Sequence, residues 1–271
     1  MMKKLLKIEL IKFWGSATFK ALIIMHATIF LLVVFVSSNL SISIQGVNIQ
    51  KLFQLPHIWQ TFAWIASWFN LLLGITAIVM VSNEHQFRTF RKQLMDGLSR
   101  DHLVLAKVLM VLSVALYTML LVFVSALLFG LVKSPSISIG NLFQGLQFLP
   151  VIYVQSLGYM AIGILFAFIL KNTALSIVGY ILYFFPVEFI IKAFIPSPAD
   201  NFLPFRLIAN LTPAPDFFGI ALADSINFPN DYGLSHQQSG VFASGAMVLV
   251  ALVYVIVFII ISRIIVVKRN F

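Results

Sequence analysis

IWQTFAWIASWFNLLLGITAIVMVS, residues 58–82, runs for 25 residues without an Asp, Glu, Lys or Arg. A helix rises about 1.5 Å per residue, so about 20 apolar residues cross the roughly 30 Å of bilayer hydrocarbon, with every backbone amide bonded inside the segment. The stretch therefore reads as a membrane-spanning helix. Five further apolar stretches of comparable length stand at 19–38, 103–132, 148–170, 173–195 and 241–267. The fifth span in chain order is the most interrupted, holding Pro186, Glu188 and Lys192. The expected fold is an all-α membrane protein with six transmembrane helices, forming a single transmembrane domain over 1–271.

Composition points the same way. The chain is 61% hydrophobic and 10% charged, against roughly 25% charged residues in soluble domains. Its formal net charge of +9 would suggest nucleic acid in a soluble protein, but here the basic residues flank apolar runs and mark a membrane face. No nucleic-acid partner is expected; the lipid bilayer is. The absence of cysteine excludes disulfides and thiolate metal sites.

Loops rich in Lys and Arg resist translocation and stay cytoplasmic. Six spans put both termini on one side. That side carries 14 of the 18 Lys and Arg residues, and the other carries Lys51, Lys133, Lys192 and Arg206. Both termini are expected in the cytoplasm and the chain in the cell membrane. Residues 1–19 read as an interfacial helix along the inner leaflet. A cleaved signal peptide is the rival reading, opposed by the length of the basic region, by Glu9 and by the lack of a small-x-small cleavage site. The outer loop before the last span contains Phe202-Leu203-Pro204-Phe205 and a second apolar run at 217–223, punctuated by Pro213, Pro215 and Pro229. Both runs are too short to span and too apolar to float, so re-entrant or interfacial helices are expected there.

SNEHQFRTFRKQLMDGLSRDH, residues 82–102, is the densest polar stretch. Phe87, Phe90, Leu94 and Met95 recur at helical spacing beside Arg88, Arg91 and Lys92. Asp96-Gly97 breaks the helix, and Ser99 is placed to cap the next one. The charges alone suit a solvated loop touching anionic lipid. Aromatic residues alternating with arginines suit a protein partner better.

Glu84, Thr89, the pair Ser99-Arg100 and then Lys107 resemble the pattern of ABC-2 type transporter permeases, with Asp96-Gly97-Leu98 where the family often has Pro before Ser-Arg. The resemblance extends to the six spans, the interfacial helix and the apolar outer loop. It implies that 84–101 is a coupling helix seated on a separate nucleotide-binding subunit, and that this chain pairs with a second permease copy or related permease and with two such subunits. Glu84, Arg88, Thr89, Arg91, Asp96, Gly97, Ser99, Arg100 and Lys107 would carry ATPase coupling. Arg88, Arg91 and Arg100 would face acidic groups of the partner, and Glu84 would brace the helix against its own bundle. The implied function is a transporter permease, an exporter of an amphipathic substrate such as a peptide antibiotic, lipid or drug.

No G-x-x-x-x-G-K-[ST] occurs, so the permease itself is not expected to be an ATPase, and Mg-ATP belongs on the partner. His26, His57, His85, His102 and His236 show no ligand spacing, and no metal site is expected. No G-x-S-x-G occurs either. Asn70, Gln155 and Tyr159 either line a substrate path or bond between helices. Glu188 and Lys192, spaced i,i+4, form either a stabilising pair or a functional intramembrane site. A secondary carrier or channel using Glu188 is thus the alternative function, with a membrane enzyme a further one.

Overall fold

The computed structural model describes residues 2–40, 43–44, 47–87, 89–135, 138–196, 199–215 and 245–268. Arg88, the apolar run 217–223, Pro229, residues 240–244 and Arg269 lie outside the described residues. The first helix, α1 (Met2–Gly15), ends where the Ser16 hydroxyl accepts from the Phe19 amide and starts α2 (Ala17–Asn39), the first span. A two-residue antiparallel ladder pairs Ser43 with Asn48 and Ile44 with Val47, and a 3-10 turn over Ile49–Phe53 leads into the second span.

That charge-free span is broken. It consists of α3 (Ile58–Ser67) and α4 (Asn70–Gln86), bent by 46°. At the break Trp68, Phe69 and Leu72 donate to the carbonyls three residues back, so 3-10 bonds replace the α ladder locally. The short α5 (Thr89–Met95) follows, and Gly97, with φ +91°, makes the turn that leads into α6 (Arg100–Lys133). At 34 residues, α6 is about 50 Å long, well beyond the hydrocarbon thickness. After the short α7 (Ile139–Phe143) come α8 (Phe148–Leu170) and α9 (Thr173–Leu182), separated by Lys171 in the left-handed conformation.

The fifth span contains a π turn at Tyr183–Val187 and continues as α10 (Glu188–Phe194). Pro186 has no amide to bond the turn before it, and the ladder resumes with the Glu188 amide reaching five residues back to Tyr183. A 3-10 turn (Ala199–Phe202) and α11 (Pro204–Ala209) return toward the bundle, and α12 (Gly245–Lys268) is the last span. Among the described residues five helical stretches are long and apolar enough to cross a membrane, or six where the bent α3–α4 pair counts as one span. The all-helical membrane fold read from the sequence is the fold observed.

Span four is the hub: α8 touches α3, α4, α6, α9 and α12. Its closest neighbour is α4, and the approach is set by glycine. A Cβ on Gly163 would stand 2.5 Å from the carbonyl oxygen of Gly74, and one on Gly74 would overlap the Tyr180 hydroxyl. Backbone cannot yield as a side-chain tip can, so Gly163→Ala is expected to cost about 2 kcal/mol by overpacking, measured as the shift in unfolding of the purified protein in mixed detergent micelles.

Candidate functional site

The end of the bundle that carries α1, α5 and the start of α6 holds four charged side chains in mutual contact. Leu5, Glu9 and Phe13 recur every four residues on the inward face of α1, and all three are buried. Glu84 lies in the last turn of α4, and Lys107 lies two turns into α6. The Lys107 ammonium, 1% exposed, reaches Glu9 Oε2 at 2.5 Å and Glu84 Oε1 at 2.7 Å. Lys12 closes the ring, at 2.8 Å from Glu9 Oε1 and 3.2 Å from Glu84 Oε1. Lys107 also stands 5.1 Å from the Phe13 ring centre and 5.7 Å from that of Phe90. Two cations and two carboxylates from three helices thus neutralise one another where neither partner could be buried alone. Burial draws the Lys12 pKa down, but Glu84 and Glu9 more than offset this and hold it above the usual lysine value. Its contribution is complete below the unfolded value of about 10.4 and is lost only as pH rises through the folded one.

The polar segment after span two divides into two faces. Phe90 is buried, its ring tilted against those of His85 at 4.6 Å and Phe168 at 6.1 Å, and Leu94 packs into the same core. Phe87 and Met95 are 71% and 76% exposed, and Arg91, midway between them, is exposed too. The Thr89 hydroxyl donates to the Glu84 carbonyl at 3.1 Å, fixing the joint between α4 and α5. Asp96 and Gly97 are exposed, and the Ser99 hydroxyl caps α6 by accepting from the His102 amide. Arg100 donates to the Val267 carbonyl, and Asp101 pairs with Arg263 at 2.7 Å, so the entry to α6 is tied to the end of α12. Of the residues assigned to coupling, Glu84 and Lys107 are buried within the bundle, and Arg91, Asp96, Gly97 and Ser99 lie on its surface. Glu9 and Lys12 were not among them. The signal available was Glu9 itself, the only acidic residue before Glu84, on an inward helical face.

At the opposite end, the expected i,i+4 pair of Glu188 with Lys192 is not formed. Glu188, 5% exposed, accepts at Oε1 from the backbone amides of Phe205 at 2.9 Å and Arg206 at 3.3 Å, and Lys192 is exposed. Two oriented amides in the first turn of α11 outbid a flexible ammonium that reaches water more readily. Arg206 turns to Asp200, 3.0 Å away. The segment between α10 and α12 is anchored again by Gln155, which donates to the Ala209 carbonyl at 2.8 Å and accepts from Thr212 at 3.0 Å. Asn70, at the break in span two, accepts from Ser156 at 2.9 Å. Tyr159 packs among Phe184, Phe205 and the buried Tyr180, whose hydroxyl donates to the Tyr159 carbonyl. All three residues considered for a substrate path are therefore buried in contacts between helices of this chain. Among the described residues no group of His, Asp and Glu is placed to hold a metal ion.

Residues 5–187 match the family model described as ABC-2 family transporter protein. The chain belongs to that family. No curated protein matches it. As an ABC-2 family member it is a multi-pass membrane permease, the transmembrane component of an ABC transporter and not its ATPase, and such permeases generally work with an ATP-binding subunit. The match includes α1 from Leu5 onward, the four-charge cluster and α5, and ends one residue before Glu188.

Lys107→Ala would leave two carboxylates buried with only Lys12 between them, so this permease variant is expected to lose about 3–5 kcal/mol. Arg91→Ala, on the exposed face, should stay within about 0.5 kcal/mol. Denaturation in mixed micelles, followed by helicity, compares the two. Glu188→Ala strips the buried Phe205 amide and the half-buried Arg206 amide of their acceptor, and a loss of about 3 kcal/mol is expected in the same assay.

Proposed function

We propose that this permease is the membrane half of an exporter driven by a separate ATP-binding subunit, with α5 and its flanks as the element on which that subunit acts. The observation that carries the reading is the two-faced build of the segment. Its inner side, Phe90 and Leu94, is packed into the bundle and backed by the Glu84–Lys107 contact, while its outer side shows Phe87, Arg91 and Met95 at four-residue spacing. Exposed aromatic, Met and Arg side chains together are the chemistry of protein interface anchors.

In this reading the basic end faces the cytoplasm, which the distribution of Lys and Arg supports, and Mg-ATP binds the partner. Two permeases, identical or related, pair with two ATP-binding subunits. Closure of those subunits on ATP displaces α5, and the displacement passes into α4 and α6. An amphipathic substrate, a peptide antibiotic, lipid or drug, crosses at the surface between the two permeases. Glu188, whose Oε1 is held by two backbone amides, serves to anchor the outer loop and not to carry an ion.

Arg91→Glu reverses the charge on the outer face without touching the buried cluster. Co-expressed with its ATP-binding subunit, the variant is expected to reach the membrane at normal levels, to retain that subunit at least about tenfold less well on purification, and to lose nucleotide-dependent transport. Retention of both partner and transport would overturn the assignment.

A further inference from the structure

Where α1 meets the bundle, a hollow of about 320 Å³ opens between the α1–α2 junction and the last turns of α4. That is at the low end of ligand-pocket sizes, room for a headgroup and the start of a chain. Its depth is set by the chain itself, since Ser16 immediately precedes the first span and Glu84 lies in the last turn of the second. The hollow therefore sits where two spans leave the hydrocarbon, at the level of lipid headgroups. One wall is apolar, made by Phe13, Phe19, Val79 and Met80. The other presents Lys12, Ser16, Asn83, Glu84 and Thr89, and Phe87 also lines the hollow.

The polar wall is incompletely satisfied. Glu84 Oε1 takes both lysines, but Oε2 is buried and accepts no hydrogen bond. Lys12 has three N–H donors and spends two of them, one on Glu9 and one on Glu84. The Ser16 hydroxyl accepts from the Phe19 amide, which leaves its own hydrogen to donate. What is wanted is a ligand that brings an N–H donor for Glu84 and an anionic acceptor for Lys12 and Ser16, with an apolar tail behind it. Because the cluster has two cations and two carboxylates, it offers no net attraction to a purely anionic molecule.

We propose that this hollow binds an aminophospholipid of the phosphatidylethanolamine type, its primary ammonium donating to Glu84 and its phosphate accepting from Lys12 and Ser16. Phosphatidylcholine has the same charges but no N–H to donate. Phosphatidylglycerol has no cation, and phosphatidylserine adds a carboxylate beside Glu84 and Glu9. The chain thus tells headgroups apart by hydrogen-bond donors, and the bound lipid braces the same carboxylate that joins α4 to α6. The assignment needs only the membrane placement of the chain and is independent of the ATP-binding partner.

The test uses the full-length permease alone, purified in mild detergent, with phosphatidylethanolamine, its monomethyl and dimethyl derivatives, phosphatidylcholine, phosphatidylglycerol and phosphatidylserine added at equal mole fraction. Bound lipid is counted by native mass spectrometry. Phosphatidylethanolamine and the two derivatives that keep an N–H are expected to be retained about tenfold better than phosphatidylcholine, the difference of one charge-assisted hydrogen bond. Free phosphoethanolamine at the same concentration is expected not to displace the lipid. Val79→Phe, which fills the hollow from its apolar wall without altering a charge, should abolish the preference, and Glu84→Gln should weaken it. Equal retention of phosphatidylcholine, stronger retention of phosphatidylglycerol or phosphatidylserine, displacement by the free headgroup, or a preference that survives Val79→Phe would each overturn the proposal.

Discussion

Lys107 is a cation shut away from water, and the arrangement of the basic end follows from what it takes to keep it there. An ammonium in a low-dielectric interior is tolerated only with compensating charge and well-placed acceptors. Its own helix supplies neither. One carboxylate comes from α1, 98 residues earlier in the chain, and the other from the last turn of α4. Satisfying that one side chain therefore sets the position of α1, the exit of the second span and the entry of the third. Lys12 then balances the second negative charge, so the group closes as a neutral ring.

The other end of the bundle meets the same constraint with different groups. There the unpaired polar atoms are backbone amides of a short helix returning into the protein, and Glu188 and Gln155 meet the backbone of that segment at its two ends. The breaks in spans two and five belong to this scheme. A straight helix satisfies its own backbone; at Trp68 3-10 bonds, and at Pro186 a π turn, stand in for the α ladder. Asn70 and Ser156 stand beside the first break, and Glu188 sits directly after the second.

Length and hydropathy made the spans legible, because the bilayer imposes one number on every crossing helix. The helix breaker Asp96-Gly97 and the cap Ser99 were legible for local reasons, and the structure puts a positive φ at Gly97 and a hydroxyl cap at Ser99. The partners of buried polar residues were not. Helical spacing put Glu188 beside Lys192, but spacing says nothing about an amide pair arriving from the first turn of α11, 17 and 18 residues away. Asn70, Gln155 and Tyr159 stood out as polar in apolar helices, a signature shared by pore linings and interhelical bonds; only the contacts distinguish them. Likewise the stripe Phe87, Phe90, Leu94, Met95 was visible, while its division between a buried and an exposed side depends on where α8 lies.

A force applied to α5 has few places to dissipate. Gly97 is a permissive joint, but Phe90 is wedged against α8 through Phe168, and the preceding turn is bonded through Thr89 to the Glu84 carbonyl. Glu84 is in turn held by Lys107, so pulling α5 away would separate ions in a medium where separation is costly. The less costly response is for the ends of α4 and α6 to move with α5 and carry α1 along. Because Arg100 and Asp101 bind the end of α12, the last span is drawn into the same body. Motion begun at the basic end would therefore reach the opposite end as a tilt of whole helices, with the bend at Trp68 and the π turn at Pro186 as the places where the ladder already departs from a straight rod.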